Sequence, residues 1–318
     1  MPMGNNEGRG AEGLISVVIV NWNTKDLLLE CIDSLAADCS EGQCEIIVVD
    51  NASVDGSAEE VRRRFPQVIL IASETNGGFA HGCNLGARRA CGDYILLLNP
   101  DTRVPGGTLH TLRRFLEEHE EVGVVGPKLV GTDGERQVSS FGMFPSVAEA
   151  VAHATHIWTL RPNSSLAKRF LCTPASGSEW CYAAHLLGAC MLIRMGVYEK
   201  LGGLDAGYFL FLEETDFCYR AAQAGWRCAY LESAAVVHYG EQSVEQALTI
   251  SGGLYIRSYN RFCRKFGISL PRRLLINAAL ISGVLISALA CLVKRRDIQR
   301  AGRILRTLRY GYLVRPQI

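Results

Sequence analysis

Three apolar runs, Leu14 to Val20, Glu45 to Asp50 and Tyr94 to Leu98, are separated by stretches with helical periodicity, Asp26 to about Ala37 and Ser57 to Arg64. A run that is apolar at nearly every position, rather than at every second one, suits a strand buried on both faces. Strands of that kind alternating with helices predict an α/β fold with a mostly parallel sheet and right-handed crossovers. Val68 to Ala72 adds a short fourth strand. In open α/β sheets ligands bind beyond the carboxyl ends of the strands, so the residues that follow each run are where chemistry is expected.

Those residues are polar. The first run leads into Asn21-Trp22-Asn23-Thr24, the second ends in Asp50, and the third stops at Asn99-Pro100-Asp101. Asp101 is placed to hold a divalent metal on a phosphate; the competing reading is a cap on the helix beginning near Gly106 or Thr108. After the fourth strand comes Asn76-Gly77-Gly78-Phe79-Ala80-His81-Gly82-Cys83-Asn84-Leu85-Gly86. Glycines at a helix start let backbone amides approach a phosphate or ribose, and they equally serve a tight turn and close helix packing. The spacing is not G-x-G-x-x-G, and it comes late in the sheet, which disfavours a dinucleotide-dependent dehydrogenase.

Beyond Asp101 the pattern predicts a helix over 108–121, an extended segment Val122 to Val130, and a weakly patterned insert over 131–179 with helix around Val147 to Trp158. A strand follows at His185 to Arg194, where Gly188 leaves room for something to lie against it. An apolar strand, Tyr208 to Leu212, precedes Glu213-Glu214-Thr215-Asp216 and a helix from about Asp216 to Ala224, and Ala235 to His238 forms a last short strand. Three carboxylates within four residues repel unless a cation or proton intervenes. Asp216 suits the helix cap, whereas Glu214, ahead of it, suits a general base. His238 ends its strand as Asp101 ends another. A lone histidine is more often a satisfied core or surface residue than a ligand, yet the pair with phosphate oxygens and water would complete an octahedral Mg²⁺ or Mn²⁺ site.

A net charge of +1 excludes the whole-chain basicity of many nucleic-acid binders, and no nucleic-acid partner is expected. The twelve cysteines include no C-x-x-C pair and mostly sit in apolar runs, which predicts free buried thiols in a reducing cytosol. Residues 1–13 read as a disordered lead-in. At the other end, Arg257, Arg261 and Lys265 recur on one helix face, read as solvated or as facing a lipid diphosphate or anionic headgroups. Leu274 to Val293 is an uncharged run long enough to span a bilayer. Both of its flanks are basic, which argues against a single crossing and for an interfacial or re-entrant hairpin on anionic lipid; the alternative is a helical lid packed on the preceding domain or on a dimer partner. The small residues Ala279, Gly283, Ser287 and Cys291 suit close helix packing.

Together VVIVNWN, VVDNASVDGS, NGGFAHGCNLGA, LLLNPD, LLGACMLIR, LGGLDAGYFLFLEETDFCYRAAQAGWR and VVHYGEQS cover most of Ile15 to Ser243, and in order and spacing they resemble glycosyltransferase family 2. The resemblance is strongest to its bacterial rhamnosyltransferase branch. It implies a GT-A fold: a catalytic domain over 14–245 with a mixed, mostly parallel sheet flanked by helices, followed by a C-terminal helical appendage over 246–318. It also implies an inverting enzyme that moves a sugar, rhamnose from dTDP-rhamnose in the leading reading, onto a lipid-linked or cell-envelope glycan at the cytoplasmic face of the plasma membrane. Asp50 would read the base, and Asn23, Asn51, Asn76, Gly78, Phe79, Asn84, Asn99, Gly188 and Ala189 would line the nucleotide sugar. Asp101 and His238 would hold Mg²⁺ or Mn²⁺. Glu214 falls on the position of the base, with Glu213 and Asp216 beside it. Asn99 stands where the family commonly has aspartate, and Glu214 where it more often has aspartate. A sugar nucleotidyltransferase would need a basic Gly-rich loop after the first strand, which is absent; a non-catalytic nucleotide- or glycan-binding module would not need Asp101, Glu214 and His238 together. Homodimerisation is left open.

Overall fold

The computed structural model describes residues 12–39, 42–137, 141–155, 178–240, 242–295 and 297–312. The lead-in, apart from its last two residues, and much of the insert lie outside them. The four expected strands are present as β1 (Ile15–Asn21), β2 (Cys44–Asp50), β3 (Ile69–Ala72) and β4 (Tyr94–Leu98). They lie parallel in the order β3-β2-β1-β4. β5 (Thr102–Arg103), β6 (Val122–Val130), β7 (Phe141–Gly142), β8 (Trp180–Ala183), β9 (His185–Leu186), β10 (Cys190–Arg194) and β11 (Arg227–His238) follow. β10 runs antiparallel between β4 and β6, β11 is parallel to β6, and β5 and β8 pair antiparallel with β11.

Every residue of β1 and β4 is buried, because helices cover both faces. Alternate side chains divide between two cores. Val17, Ile19, Leu96 and Leu98 pack with α1 (Lys25–Ser34) and α5 (Thr108–Glu118); Val18, Val20, Ile95 and Leu97 pack with α4 (Phe79–Ala87). Two glycines set how close α4 lies: a Cβ on Gly82 or Gly86 would drive into Val20 or Val18, so the packing reading holds for these two. Short helices α2 (Ala36–Cys39) and α3 (Ser57–Arg64) complete the first half, and α6 (Val147–Ala154), α7 (Met195–Lys200) and α8 (Glu213–Gln223) belong to the second.

Several expectations change. The strand predicted over His185 to Arg194 is broken at 187–189, where the chain turns at the rim of the sheet. The last strand is twelve residues long rather than four, since Arg227 to Leu231 pairs with β6, and Cys228 to Leu231 with β8, ahead of a register shift before Ala235. Tyr208 to Leu212 forms no strand; it is a loop ending in two left-handed residues, Phe211 (φ 70°) and Leu212 (φ 65°). Cys39 and Cys44 are joined by a disulfide across a short turn, which corrects the reading of free thiols throughout. Cys31, Cys83, Cys91, Cys190, Cys218, Cys228, Cys263 and Cys291 are free.

The C-terminal part is helical: α9 (Gln242–Lys265), α10 (Leu270–Ala290), which widens into a π turn over Cys291–Arg295, and α11 (Ile298–Tyr312). α9 begins before residue 246 and packs on α11. A third core joins it to the catalytic part through Tyr208, Leu212, Tyr259, Phe262 and Ile276. The expected solvated cationic face is instead partly turned inward. Arg261 and Lys265 bind Asp205 at 2.9 and 2.7 Å, and Lys265 Nζ also lies 2.6 Å from Asp216. The small-residue stripe does what its spacing suggests, Gly283 lying against Ala154 of α6. Leu270–Val293 is long and apolar enough to cross a membrane, and only 17% of its most apolar window is buried.

Candidate active site

β1, β2 and β4 end at one rim, and the turns after them are tied to each other before any ligand is considered. Asn21 Nδ2 donates to Asp50 Oδ1 and to Ser53 Oγ, both at 3.0 Å, and the Ser53 amide returns to Asp50 Oδ2 at 3.0 Å. Asp50 is thereby fixed in direction while 97% buried. Asn21 and Ser53 were missed as site residues because asparagine and serine after a strand read only as turn formers.

Most of the predicted asparagines serve the walls. Asn23 Oδ1 accepts from the Val54 amide (2.8 Å) and Asn76 Oδ1 from Gly78 (3.0 Å). The side chain of Asn51 binds Gly77 N and Gly78 O. Asn84 faces the 198–204 segment: its Oδ1 accepts from Tyr198 Oη and Leu204 N, and its Nδ2 donates to Leu204 O at 2.7 Å. Asn84 therefore secures α4 to that segment rather than lining the nucleotide.

The glycine loop meets the loop ahead of α8. The Phe79 amide donates to Phe209 O at 2.9 Å, and Gly78 (φ +84°) passes so close that a Cβ there would strike the same carbonyl. Gly78→Ala combines that collision with a left-handed backbone. We expect it to cost about 2 kcal/mol or more and to weaken nucleotide binding, read from denaturant midpoints and titration with a nucleoside diphosphate. Unchanged values in both would refute the role given to this contact.

Asp101 and His238 meet because β5 pairs antiparallel with the end of β11, setting His238 opposite Thr102, and because the Tyr239 amide binds Asp101 O. His238 Nε2 lies 3.4 Å from Asp101 Oδ1. Gln137 fixes the tautomer. Its Nε2 donates to the His238 carbonyl at 2.7 Å, so its Oε1 must accept, and His238 Nδ1, 2.8 Å away, must donate. In neutral His238 the Nε2 lone pair then faces a carboxylate oxygen, two acceptors with nothing between them, an arrangement that a divalent cation completes. Among the described residues no cluster of three or more such ligands occurs, so diphosphate oxygens and water would supply the remaining positions. Gln137 lay in the weakly patterned insert and could not be found by sequence.

α8 starts earlier than its sequence pattern, with Leu212 as N-cap, so Glu213 and Glu214 belong to its first turn rather than preceding it. Both are buried, at 3% and 8% exposure. Gly188 lies beside Glu214: a Cβ there would sit in ordinary van der Waals contact with Phe79 Cε1 at 3.5 Å and Glu214 Cβ at 3.6 Å. One residue on, Ala189 O accepts from the Asn99 amide at 2.9 Å. Asn99, Gly188 and Ala189 thus connect the Asp101 turn to Glu214. Burial pushes the Glu214 carboxyl up to about 7. Burial and then the neighbouring Glu214 charge push Glu213 well above the usual carboxylate range, and its Oε2 has no hydrogen-bond partner. Glu213 is held neutral, which leaves Glu214 as the group able to take a proton.

Asp216 corrects the third acidic assignment. It is fully buried, accepts from Arg220 Nε (2.6 Å), Tyr208 Oη (3.1 Å) and Lys265 Nζ (2.6 Å), and holds α8 to α9. It is neither a catalytic group nor the cap.

The family model "Glycosyl transferase family 2" matches residues 16–202. The N-acetylglucosaminyl-diphospho-decaprenol L-rhamnosyltransferase of Mycobacterium tuberculosis is 26% identical over 243 residues, 72% of this chain and 77% of that protein. A low-salt glycan biosynthesis hexosyltransferase of Haloferax volcanii is 25% identical over 259 residues, 78% and 74% respectively. Among solved structures, the mannosyltransferase PcManGT of Pyrobaculum calidifontis, determined with GDP-Man and Mn²⁺, superposes with a TM-score of 0.62 at 17% identity, covering 96% of this chain and 88% of that one. That superposition shows the fold, GT-A, with its C-terminal helical extension. A matched segment that starts in β1 and runs through the Asp50, Gly78 and Asp101 turns and on past β10 places the chain in glycosyl transferase family 2, as a glycosyltransferase.

Proposed function

We propose that the chain transfers a sugar with inversion from a nucleoside-diphosphate sugar, dTDP-rhamnose being the leading candidate, to a hydroxyl of a lipid-linked or cell-envelope glycan at the cytoplasmic face of the plasma membrane. The observation that carries this reading is the pairing of a buried, proton-accepting Glu214 with the Asp101–His238 pair, linked through the Asn99–Ala189 hydrogen bond. Rhamnose is favoured because the Mycobacterium tuberculosis relative is named for that transfer.

The residues divide the work. Asp50, held by Asn21 and Ser53, addresses the base. The Gly78–Phe79 turn, whose own amides are held by Asn76 and Phe209, shapes the wall at the start of α4 on the phosphate side. Asp101 and His238 would hold Mg²⁺ or Mn²⁺, which when bound neutralises charge on the departing nucleoside diphosphate. Glu214 removes the proton of the acceptor hydroxyl, so that the hydroxyl oxygen attacks the anomeric carbon opposite the leaving group and the configuration inverts. Because Glu214 starts the reaction deprotonated beside a neutral Glu213, it has one proton to gain.

For the membrane, support comes from the exposed apolar face of α10 between basic flanks, which lies on anionic lipid. The test of the donor is a screen of the full chain against nucleotide sugars with and without Mn²⁺, read by melting temperature. A donor at 100 times its Kd stabilises by about 2.7 kcal/mol, a shift of several degrees, expected to be largest with dTDP-rhamnose and to shrink without metal. No shift with any nucleotide sugar would refute the reading.

A further inference from the structure

Behind the 207–212 loop, on the C-terminal side, lies an open cleft of about 1020 Å³ between α9, α10 and the end of α11. Among the described residues its lining combines three guanidinium groups, Arg257, whose Nε donates to Tyr310 O, Arg261 and Arg264, with apolar Leu254 and Leu274 and no carboxylate. Asp205 lies behind it, bound to Arg261 Nη2 and Lys265. Arg261 Nε is buried without a hydrogen-bond partner. Arg264 is exposed and makes no ion pair among the described residues. From the mouth of the cleft, Leu274, Leu285, Leu289 and Leu292 continue along α10 as one exposed helical stripe.

We propose that this cleft binds the diphosphate of a prenyl-type lipid carrier, with the prenyl chain lying along the α10 stripe. The inference rests on the reading of a lipid-linked acceptor given above and assigns it a place. The exposed guanidinium of Arg264, in a cationic lining shared with Arg257 and Arg261, matches the charge of a diphosphate through charge-assisted hydrogen bonds, and an apolar track starting at the same point matches the chain attached to it. A phospholipid headgroup presents a single phosphate diester and leaves part of that donor set unused. The location also suits delivery of an acceptor. Phe209, which lines the cleft, gives its carbonyl to the Phe79 amide of the donor loop, and Ser258 Oγ, also in the lining, donates to Leu210 O at 2.9 Å. That loop runs directly into Glu213 and Glu214. The 207–212 loop is therefore shared between the cleft and the segment that carries the base.

The experiment is a titration of the full chain, in detergent with chelator and no nucleotide, with farnesyl diphosphate, farnesol, inorganic diphosphate and phosphatidylglycerol vesicles, followed by calorimetry. Farnesyl diphosphate is expected to bind at least tenfold more tightly than farnesol or inorganic diphosphate, since each lacks half of the recognised molecule. Arg264→Glu and, separately, Leu274→Glu are each expected to weaken it by about tenfold or more, with melting temperatures showing that both variants fold. Equal affinity in folded wild-type and variant chains would overturn the proposal. So would displacement of farnesyl diphosphate by phosphatidylglycerol at matched anion concentration, which would make the cleft a phospholipid headgroup site. Because nucleotide and metal are absent, these outcomes are independent of the donor screen and of the variants at Glu214 and Asp101.

Discussion

Glu214→Gln is expected to lower sugar transfer by about 10² to 10⁴-fold, the range that a positioned general base supplies, while nucleotide binding stays within a few-fold of wild type. The amide keeps the size and burial of the side chain, 8% exposed against Gly188 and Phe79, and removes only its ability to accept a proton. The pH profile separates this role from a structural one. A base must be deprotonated to act, and burial raises the Glu214 carboxyl to about 7, so the wild-type rate rises with pH through that region and levels off above it. In Glu214→Gln that limb disappears. Because Glu213 stays neutral through the range in which Glu214 titrates, Glu213→Gln should preserve the limb and leave its midpoint nearly unchanged. Transfer that persists at the wild-type rate in Glu214→Gln would remove the residue from the mechanism.

The second large effect is expected at Asp101. Asp101→Ala removes one of the two protein ligands proposed for the cation and is expected to reduce transfer by about 10²-fold or more, several kcal/mol of charge stabilisation being at stake. The Mn²⁺ concentration for half-maximal activity should rise in parallel. His238→Ala should act in the same direction and less strongly, because it removes a neutral ligand rather than a charge. Rates measured across a Mn²⁺ titration decide the matter. A Mn²⁺ dependence identical to wild type in Asp101→Ala would show that the carboxylate does not hold the metal and that its contact with His238 Nε2 is structural.

The fold and the acidic rim were legible to different degrees. Strands β1 to β4 were readable because each is buried on both faces, and a parallel strand sandwiched by helices needs an unbroken apolar run. α3 and β6 were likewise found with their ends correct. Leu187 to Ala189 and Tyr208 to Leu212 misled for one shared reason. Their side chains are as apolar as a strand's, and what bends the backbone is the contact each makes, Asn99 with Ala189 and Phe79 with Phe209, neither of them local.

The side-chain roles show where sequence stops. The order of residue types along the chain determined that Asp50, Asp101, Glu214 and His238 end up at element ends on one rim, because strand alternation and helix periodicity are local. Only the tertiary structure decided what each does there. Glu213 and Glu214 are adjacent acids of the same kind, distinguished by the burial and hydrogen bonding of each carboxyl; Asp216, two residues on, meets Arg220 and Lys265 and becomes an ion-paired strut. The same holds for Arg261 and Lys265, whose regular spacing shows a cationic face and not which carboxylates it meets. Charge and hydrogen-bonding capacity are written in the residue, but desolvation and partner choice depend on atoms distant in sequence, and those set which carboxyl keeps its proton and which gives it up.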